Sequence, residues 1–362
     1  MSASHLWYAL RSGKNPKFLY YAQAWLRLHY PAALLRSRLP GLLSSLEGRA
    51  DRESIVRRVD YYNQLTPSTP IDPQLWQLQT VRLSEQPMTP QKVYYLDAMV
   101  YGRYFAPSLR WQLLPSDITY VPDVPSVLKS RPLGVENAPS VLLKLNKVRH
   151  FIYVNDPTPF RSKLDRAVFR NRVSRGMPSF VPRKTGASAP PVASSAAASS
   201  AGGEVSLRLA FMQRWWGHPL IDAGAIDNDL GAHPLWNPAW HCAKMTIGEQ
   251  LRYKFIMAIE GNEVASNLKW VMSSNSIAVC PRPRYETWFM EGLLKPDYHY
   301  IAVSPDFSDV ADKLRHYLSH PTEAEAILRH AHEWVSQFRD RRREDLISLL
   351  VLDKYFRLTP QD

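Results

Sequence analysis

The stretch Tyr253–Cys280, YKFIMAIEGNEVASNLKWVMSSNSIAVC, decides how this 362-residue chain is read. YKFIMAI (253–259) is an apolar run of strand length, and Glu260-Gly261-Asn262 follows as a turn. VASNLKWVM (264–272) has helical spacing, and SIAVC (276–280) is a second strand-like run. Strand, turn, helix and strand predict a βαβ unit in a parallel sheet. Such sheets bind ligands beyond the carboxyl ends of their strands. A helix N-terminus offers unpaired N–H groups and the positive end of a dipole, which suits phosphate. Gly261 lets the backbone approach closely. The turn therefore suits a diphosphate, although many α/β loops carry a glycine and bind nothing.

Alternation continues on both sides of this stretch. LRLAFMQRWWG (207–217) predicts a helix ended by Gly217, and Thr246-Ile-Gly-Glu249 is a capping box. TWFMEGLL (287–294) predicts a helix and YHYIAV (298–303) a strand. Residues 311–320 and 323–338 predict two further helices. Before this region the pattern is mixed. Residues 94–105 predict a helix and 117–132 short strands broken by proline. SVLLKL (140–145), FIYV (151–154) and AVF (167–169) read as apolar strand segments. The fold class is α/β. KTGASAPPVASSAAASSAGGE (184–204) has almost no large apolar residue and predicts a disordered insertion.

Length favours two domains. Lys plus Arg exceeds Asp plus Glu by 12, which favours anionic partners: nucleic acid, acidic lipid or phosphorylated substrates. No reader motif accompanies the charge, so nucleic-acid binding is the weakest expectation. Cys242 and Cys280 make neither a zinc cluster nor a disulfide framework, and a reducing cytoplasm fits best. No apolar run reaches the roughly 18 residues of a membrane span. Phe18–Leu46 interleaves Tyr, Trp and Leu with Arg27, Arg36 and Arg38 and holds no acid. This suits an interfacial helix on an anionic membrane, broken into pieces by Pro31 and Pro40; a helix packed on the protein's own core is the alternative.

Two constellations compete with the Gly261 turn. Asp227-Asn228-Asp229 spells the Asp-x-Asp of metal-dependent transferases, but in a polar stretch that reads as a solvated loop. His316, His320, His330 and His332 lack the spacing and carboxylate partners of a metal site. Arg339–Arg343 is a basic run that suits an anionic lipid or a solvated helix end.

EQLRYKFIMAIEGNEVASNLKWVMSSNS, YETWFMEGLLKPDYHYIAV and DFSDVADKL resemble glycosyltransferase family 90, in its bacterial lipopolysaccharide branch. YYNQL (61–65), YVPDVPSVLKSRP (120–132) and LLKLNKVRHF (142–151) extend the resemblance toward the N-terminus. It implies a GT-B architecture, two Rossmann-like domains facing across a cleft. The implied parts are a basic helical region (1–60), an acceptor domain (61–160), a donor domain (161–335) containing the insertion, and C-terminal helices (336–362). It further implies metal-independent, inverting transfer from a nucleotide-sugar, usually a UDP-sugar, to a hydroxyl of lipopolysaccharide core or a related glycan. No cofactor is implied. The expected location is the inner face of the cytoplasmic membrane, as a peripheral protein.

Roles carry over by motif. Asp123-Val124-Pro125 is similar to the family's Asp-aromatic-Pro turn, which implies Asp123 as the catalytic base. Phe169-Arg170-Asn171 is similar to its aromatic-Arg-Gly motif, which implies Arg170 near the leaving diphosphate. Gly261, Asn262, Ser266 and Asn267 would line the donor. Asn267 stands where animal members carry an arginine, so Lys269 and Arg170 are the implied sources of positive charge. Glu286 would accept from ribose hydroxyls, or else be a helix-start carboxylate. Lys129 and Arg131 would meet the acceptor. The departures at Val124, Asn171 and Asn267 leave open a non-catalytic interaction protein on the same fold.

Overall fold

The computed structural model describes residues 13–173, 206–226 and 236–361. The strands, in chain order, are β1 (Val81–Arg82), β2 (Arg110–Trp111), β3 (Ser126–Leu128), β4 (Ser130–Pro132), β5 (Ser140–Leu142), β6 (Leu164–Asn171), β7 (Ile221–Ala225), β8 (Tyr253–Met257), β9 (Ile277–Cys280), β10 (Tyr285–Thr287) and β11 (Ile301–Ala302). Five of them form one sheet in the order β11-β9-β8-β6-β7, and every pair in it is parallel.

Alternation along these strands sorts their side chains onto two covered faces. Phe169, Phe255, Met257, Ile277 and Val279 share one core with Phe211 of the helix Leu207–Trp215 and Leu314 of the helix Val310–Ser319. Val168, Ile256 and Ala278 share another with Val271 of the helix Leu268–Met272 and Val335 of the helix Pro321–Ser336. This second core runs on without a break into Val127, Leu142, Trp288 and Tyr62.

The strands of the N-terminal half pair only in twos among the described residues: β1 with β2, β3 with β5, and β4 with β10. The described residues thus hold one Rossmann-like sheet, where two were expected. The β4–β10 pair joins the two halves directly, placing Arg131 opposite Glu286. The helix Arg341–Leu358 closes the chain by packing on the helix Arg52–Tyr62, with Arg58 paired to Glu344 at 2.6 Å.

Local chemistry accounts for several boundaries. Ser206 caps the helix 207–215 by accepting from Leu209 N at 3.2 Å. Beyond that helix, Gly217 takes a left-handed φ of +82°. The capping box is made in both directions: Glu249 N donates to Thr246 Oγ1 at 3.1 Å and Thr246 N to Glu249 Oε2 at 2.6 Å. Four expectations need correction. FIYV (151–154) is not a strand; the one-turn helix Lys147–His150 feeds a buried irregular segment instead. The helix expected over 264–272 begins only at Leu268, because the preceding residues form the turn. The helix expected over 287–294 is β10 followed by a single 3-10 turn, Glu291–Leu293, with Met290 left-handed between them. Pro31 separates the helices Lys17–His29 and Ala32–Ser44, but Pro40 lies inside the second. It is exposed there, and the helix forgoes the backbone hydrogen bond that proline cannot donate.

Candidate active site at the carboxyl ends of the parallel strands

Numbered along the chain, the large sheet runs second-first-third-fourth-fifth. Its connections therefore leave β6 and β8 in opposite directions, which makes their carboxyl ends a topological switch point, the place where open parallel sheets ordinarily bind ligands. Arg208, in the first turn of the helix 207–215, spans that point. Its Nε and Nη2 donate to Ile259 O, just past β8, at 3.1 and 3.0 Å. Its Nη1 donates to Arg172 O, just past β6, at 3.0 Å. The guanidinium lies on Gly261: a β-carbon there would come within 3.0 Å of Arg208 Cζ. The glycine is needed for this approach, and a positive charge sits where the sequence placed a diphosphate. Sequence reasoning missed Arg208. The capping serine before it marks a helix start but does not relate that helix to a turn far along the chain.

The turn also reaches the N-terminal half. Asn262 Nδ2 donates to Asp117 Oδ2 at 3.3 Å. Lys129, fully buried, donates from Nζ to Asp117 Oδ1 at 2.6 Å and pairs with Glu263. Ser130 Oγ donates to Glu263 as well. Burial works against the Lys129 charge, but Glu263, Tyr94 and Asp117 together hold its pKa above the ordinary lysine value. Burial opposes ionisation of Asp117 too, yet Lys129 keeps its carboxyl below the ordinary value. Glu263 is pushed up to about 8, mainly by burial, with Lys129 opposing. Asp123 lies half-buried in the same segment as Asp117, just before β3. Sequence reasoning missed Asp117 and Glu263, since neither stands in a recognisable motif.

A second buried pair lies two residues along β4. Arg131 Nε donates to Glu286 Oε1 at 2.8 Å, and Tyr61 donates its hydroxyl to the other oxygen of Glu286. Burial raises the Glu286 pKa while Arg131 pulls it back. Glu286 stands in β10, so it is not a helix-start carboxylate. Glu260, at the head of the turn, accepts from Arg284 N at 2.9 Å and Arg284 Nε at 3.1 Å, which docks the start of β10 against the turn.

The other expected donor-site residues are spoken for in different ways. Asn267 Nδ2 donates to Met257 O at 3.0 Å, fastening the helix 268–272 to the end of β8; Ser266 is half-buried beside it. Lys269 is fully buried and its Nζ donates to Glu291 Oε1 at 2.6 Å. Arg170 turns toward β7, where Nη2 meets Asp222 Oδ1 at 2.5 Å. Both cations named in the sequence thus face a carboxylate, and Arg208 donates to the carbonyls of Ile259 and Arg172. The structure brings Lys129, Asn262 and Gly261 together and sets Arg131 with Glu286 beside them. It places Arg170 and Lys269 in separate ion pairs.

Asp227-Asn228-Asp229 and the 184–204 segment lie outside the described residues. The four histidines divide. His316 and His320 stack at 4.4 Å, and His316 Nε2 lies 2.8 Å from Glu323 Oε2, so that pair does have a carboxylate neighbour. His330 stacks on Tyr298, and His332 bonds Ser274 O at 2.8 Å. Within the basic run, Asp340 caps the last helix and Arg343 pairs with Asp51 at 3.1 Å.

Residues 235–357 match the family model described as glycosyl transferase family 90. Over 340 residues the chain is 34% identical to the O-glucosyltransferase LpsA of Dichelobacter nodosus, covering 94% of each protein. A shorter similarity, 28% over 95 residues, covers 26% of this chain and 9% of the uncharacterized protein 035R of Invertebrate iridescent virus 3. The near full-length relative, the family match across the Gly261 turn and the basic switch point agree. The chain is a glycosyltransferase and belongs to glycosyltransferase family 90.

Proposed function

We propose that the chain moves a sugar, glucose by analogy with its bacterial relative, from a UDP-sugar to a hydroxyl of lipopolysaccharide core or a related surface glycan. Transfer inverts the anomeric centre and uses no metal ion. The observation that carries this reading is the Asn262–Asp117 hydrogen bond of 3.3 Å, which fastens the donor-side turn to the segment that holds Asp123. The diphosphate sits at the switch point, with Arg208 and the backbone of Gly261 and Asn262 around it. The 61–160 segment forms the acceptor side of a GT-B-type cleft. Lys129 and Arg131 act there as buried supports that hold Asp117 and Glu286 in place.

The reaction is a single in-line displacement. The acceptor hydroxyl oxygen attacks the anomeric carbon as the bond to the diphosphate breaks. Asp123 takes the hydroxyl proton, and UDP leaves with the bonding electron pair. The guanidinium of Arg208 counters charge that grows on the leaving group, an interaction strongest in the transition state. Proton NMR of the reaction with UDP-α-glucose and a core oligosaccharide, chelator present, tests this. A β-glucoside as first product supports it; an α-glucoside, or transfer only after a divalent ion is added, refutes it.

A further inference from the structure

The helix Lys17–His29 is held to the protein by one side only. Ala24 is buried, Tyr20 donates its hydroxyl to Val93 O at 3.4 Å, and Arg103 binds the carbonyls of Arg27 and Tyr30. The opposite side carries Phe18, Leu19, Tyr21, Trp25 and Leu26, spaced i, i+1, i+3, i+7 and i+8 on one helical face. Phe18 is 81% exposed, Leu26 63% and Trp25 59%. The next helix, Ala32–Ser44, adds exposed Leu34 and Leu42. Elsewhere among the described residues, exposed large apolar side chains are scattered singly, which is ordinary. Here they are contiguous in sequence and mixed with aromatic rings.

Charge identifies the occupant. From Gly13 to Leu46 the chain carries Lys14, Lys17, Arg27, Arg36 and Arg38 and no acid. A second copy docking the same face on itself would oppose like charges across a two-fold axis. An anionic lipid surface instead supplies opposite charge to the lysines and arginines and an apolar layer for Leu and Phe. Trp and Tyr favour the boundary between the two. We propose that this face seats in the surface of an anionic bilayer, with the helix 17–29 lying in the interface plane and its Tyr20–Ala24 side still packed on the protein. The inference rests on the surface alone and stands or falls apart from the glycosyl-transfer reading.

Cosedimentation with vesicles tests it, using phosphatidylcholine alone or mixed with phosphatidylglycerol. The full chain should partition at least about tenfold better onto the anionic vesicles, as several basic residues near such a surface imply. The double variant Trp25→Ser/Leu26→Ser should lose about tenfold or more of that binding while keeping the wild-type melting temperature, because both side chains are exposed. Lys17→Glu/Arg38→Glu should lose the preference for anionic lipid. Equal binding of the wild type to both vesicles would overturn the proposal, as would unchanged binding of Trp25→Ser/Leu26→Ser. Loss of binding only on deletion of residues 1–12 would assign the contact to that segment instead. A concentration-dependent dimer abolished by Trp25→Ser/Leu26→Ser, without vesicle binding, would assign the face to a second copy.

Discussion

Arg208 lies so close to Gly261 that a β-carbon at position 261 would come within 3.0 Å of its guanidinium carbon. The contact couples the ends of β6 and β8, because the same guanidinium holds Arg172 O and Ile259 O. In the proposed reaction Arg208 is the cation that meets the leaving diphosphate.

Arg208→Gln should therefore lower kcat/KM by about 100-fold, the usual effect of removing one preorganised stabilising group. Gly261→Ala must push the guanidinium aside by a few tenths of an ångström. Its cost should be nearer tenfold, below the roughly 100-fold of a full ångström of misplacement. Steady-state kinetics at varied donor concentration check both. Gly261→Ala harming turnover more than Arg208→Gln would contradict the assignment.

With Asp123 as the proposed base, Asp123→Asn should cut kcat by about 10²- to 10⁴-fold while donor binding persists. Asp117→Asn is the informative comparison. If it abolishes chemistry and Asp123→Asn does not, the base is the carboxylate that Lys129 holds.

Lys129 is fully buried between Asp117 and Glu263. Lys129→Met strands Glu263 in the interior, and the expected cost is about 3–5 kcal/mol. Lys129→Met/Glu263→Gln should recover part of it, since the buried Glu263 carboxyl is gone while Asp117, which also loses its lysine, keeps Asn262 and some solvent contact. Urea melts of the three proteins measure this. A single-variant cost under about 1 kcal/mol would mean the pair is not structural.

His299 provides a pH test. Its ring is buried against Trp334 and accepts from Lys295 N at 2.9 Å, and burial lowers its pKa from 6.5 to about 4. The unfolded chain binds this proton more readily than the folded one. The stability it contributes is full above pH 6.5 and is lost as pH falls from 6.5 to 4, by about 3 kcal/mol at most. Melting temperature should drop across that window, and less steeply in His299→Asn. Identical slopes would show that His299 titrates normally.

Much of this was legible in the sequence because it depends on neighbours along the chain. The Tyr253–Cys280 unit, the capping box at Thr246 and the stop at Gly217 are local, and each appears in the structure. The helix expected over 287–294 failed for a non-local reason: Tyr285–Thr287 is recruited as a strand by β4, far away in sequence. The site divides in the same way. The turn that carries Gly261 and Asn262 could be read from its neighbours. The counter-charges of Lys269, Arg170, Lys129 and Arg131 are set by Glu291, Asp222, Glu263 and Glu286, which only folding brings near. Arg208 was hidden because it enters the site from a different helix, and no spacing rule connects it to the turn.

We propose that the donor diphosphate binds where Arg208 meets the Gly261 turn. The most direct measurement is the melting temperature of the wild type and Arg208→Gln with increasing UDP-glucose, chelator present throughout. Selective binding to the native state raises the melting temperature according to its linkage free energy. A concentration-dependent rise is expected for the wild type and should be largely lost in Arg208→Gln. An equal rise in both proteins, or none in the wild type with any nucleotide-sugar, would contradict it.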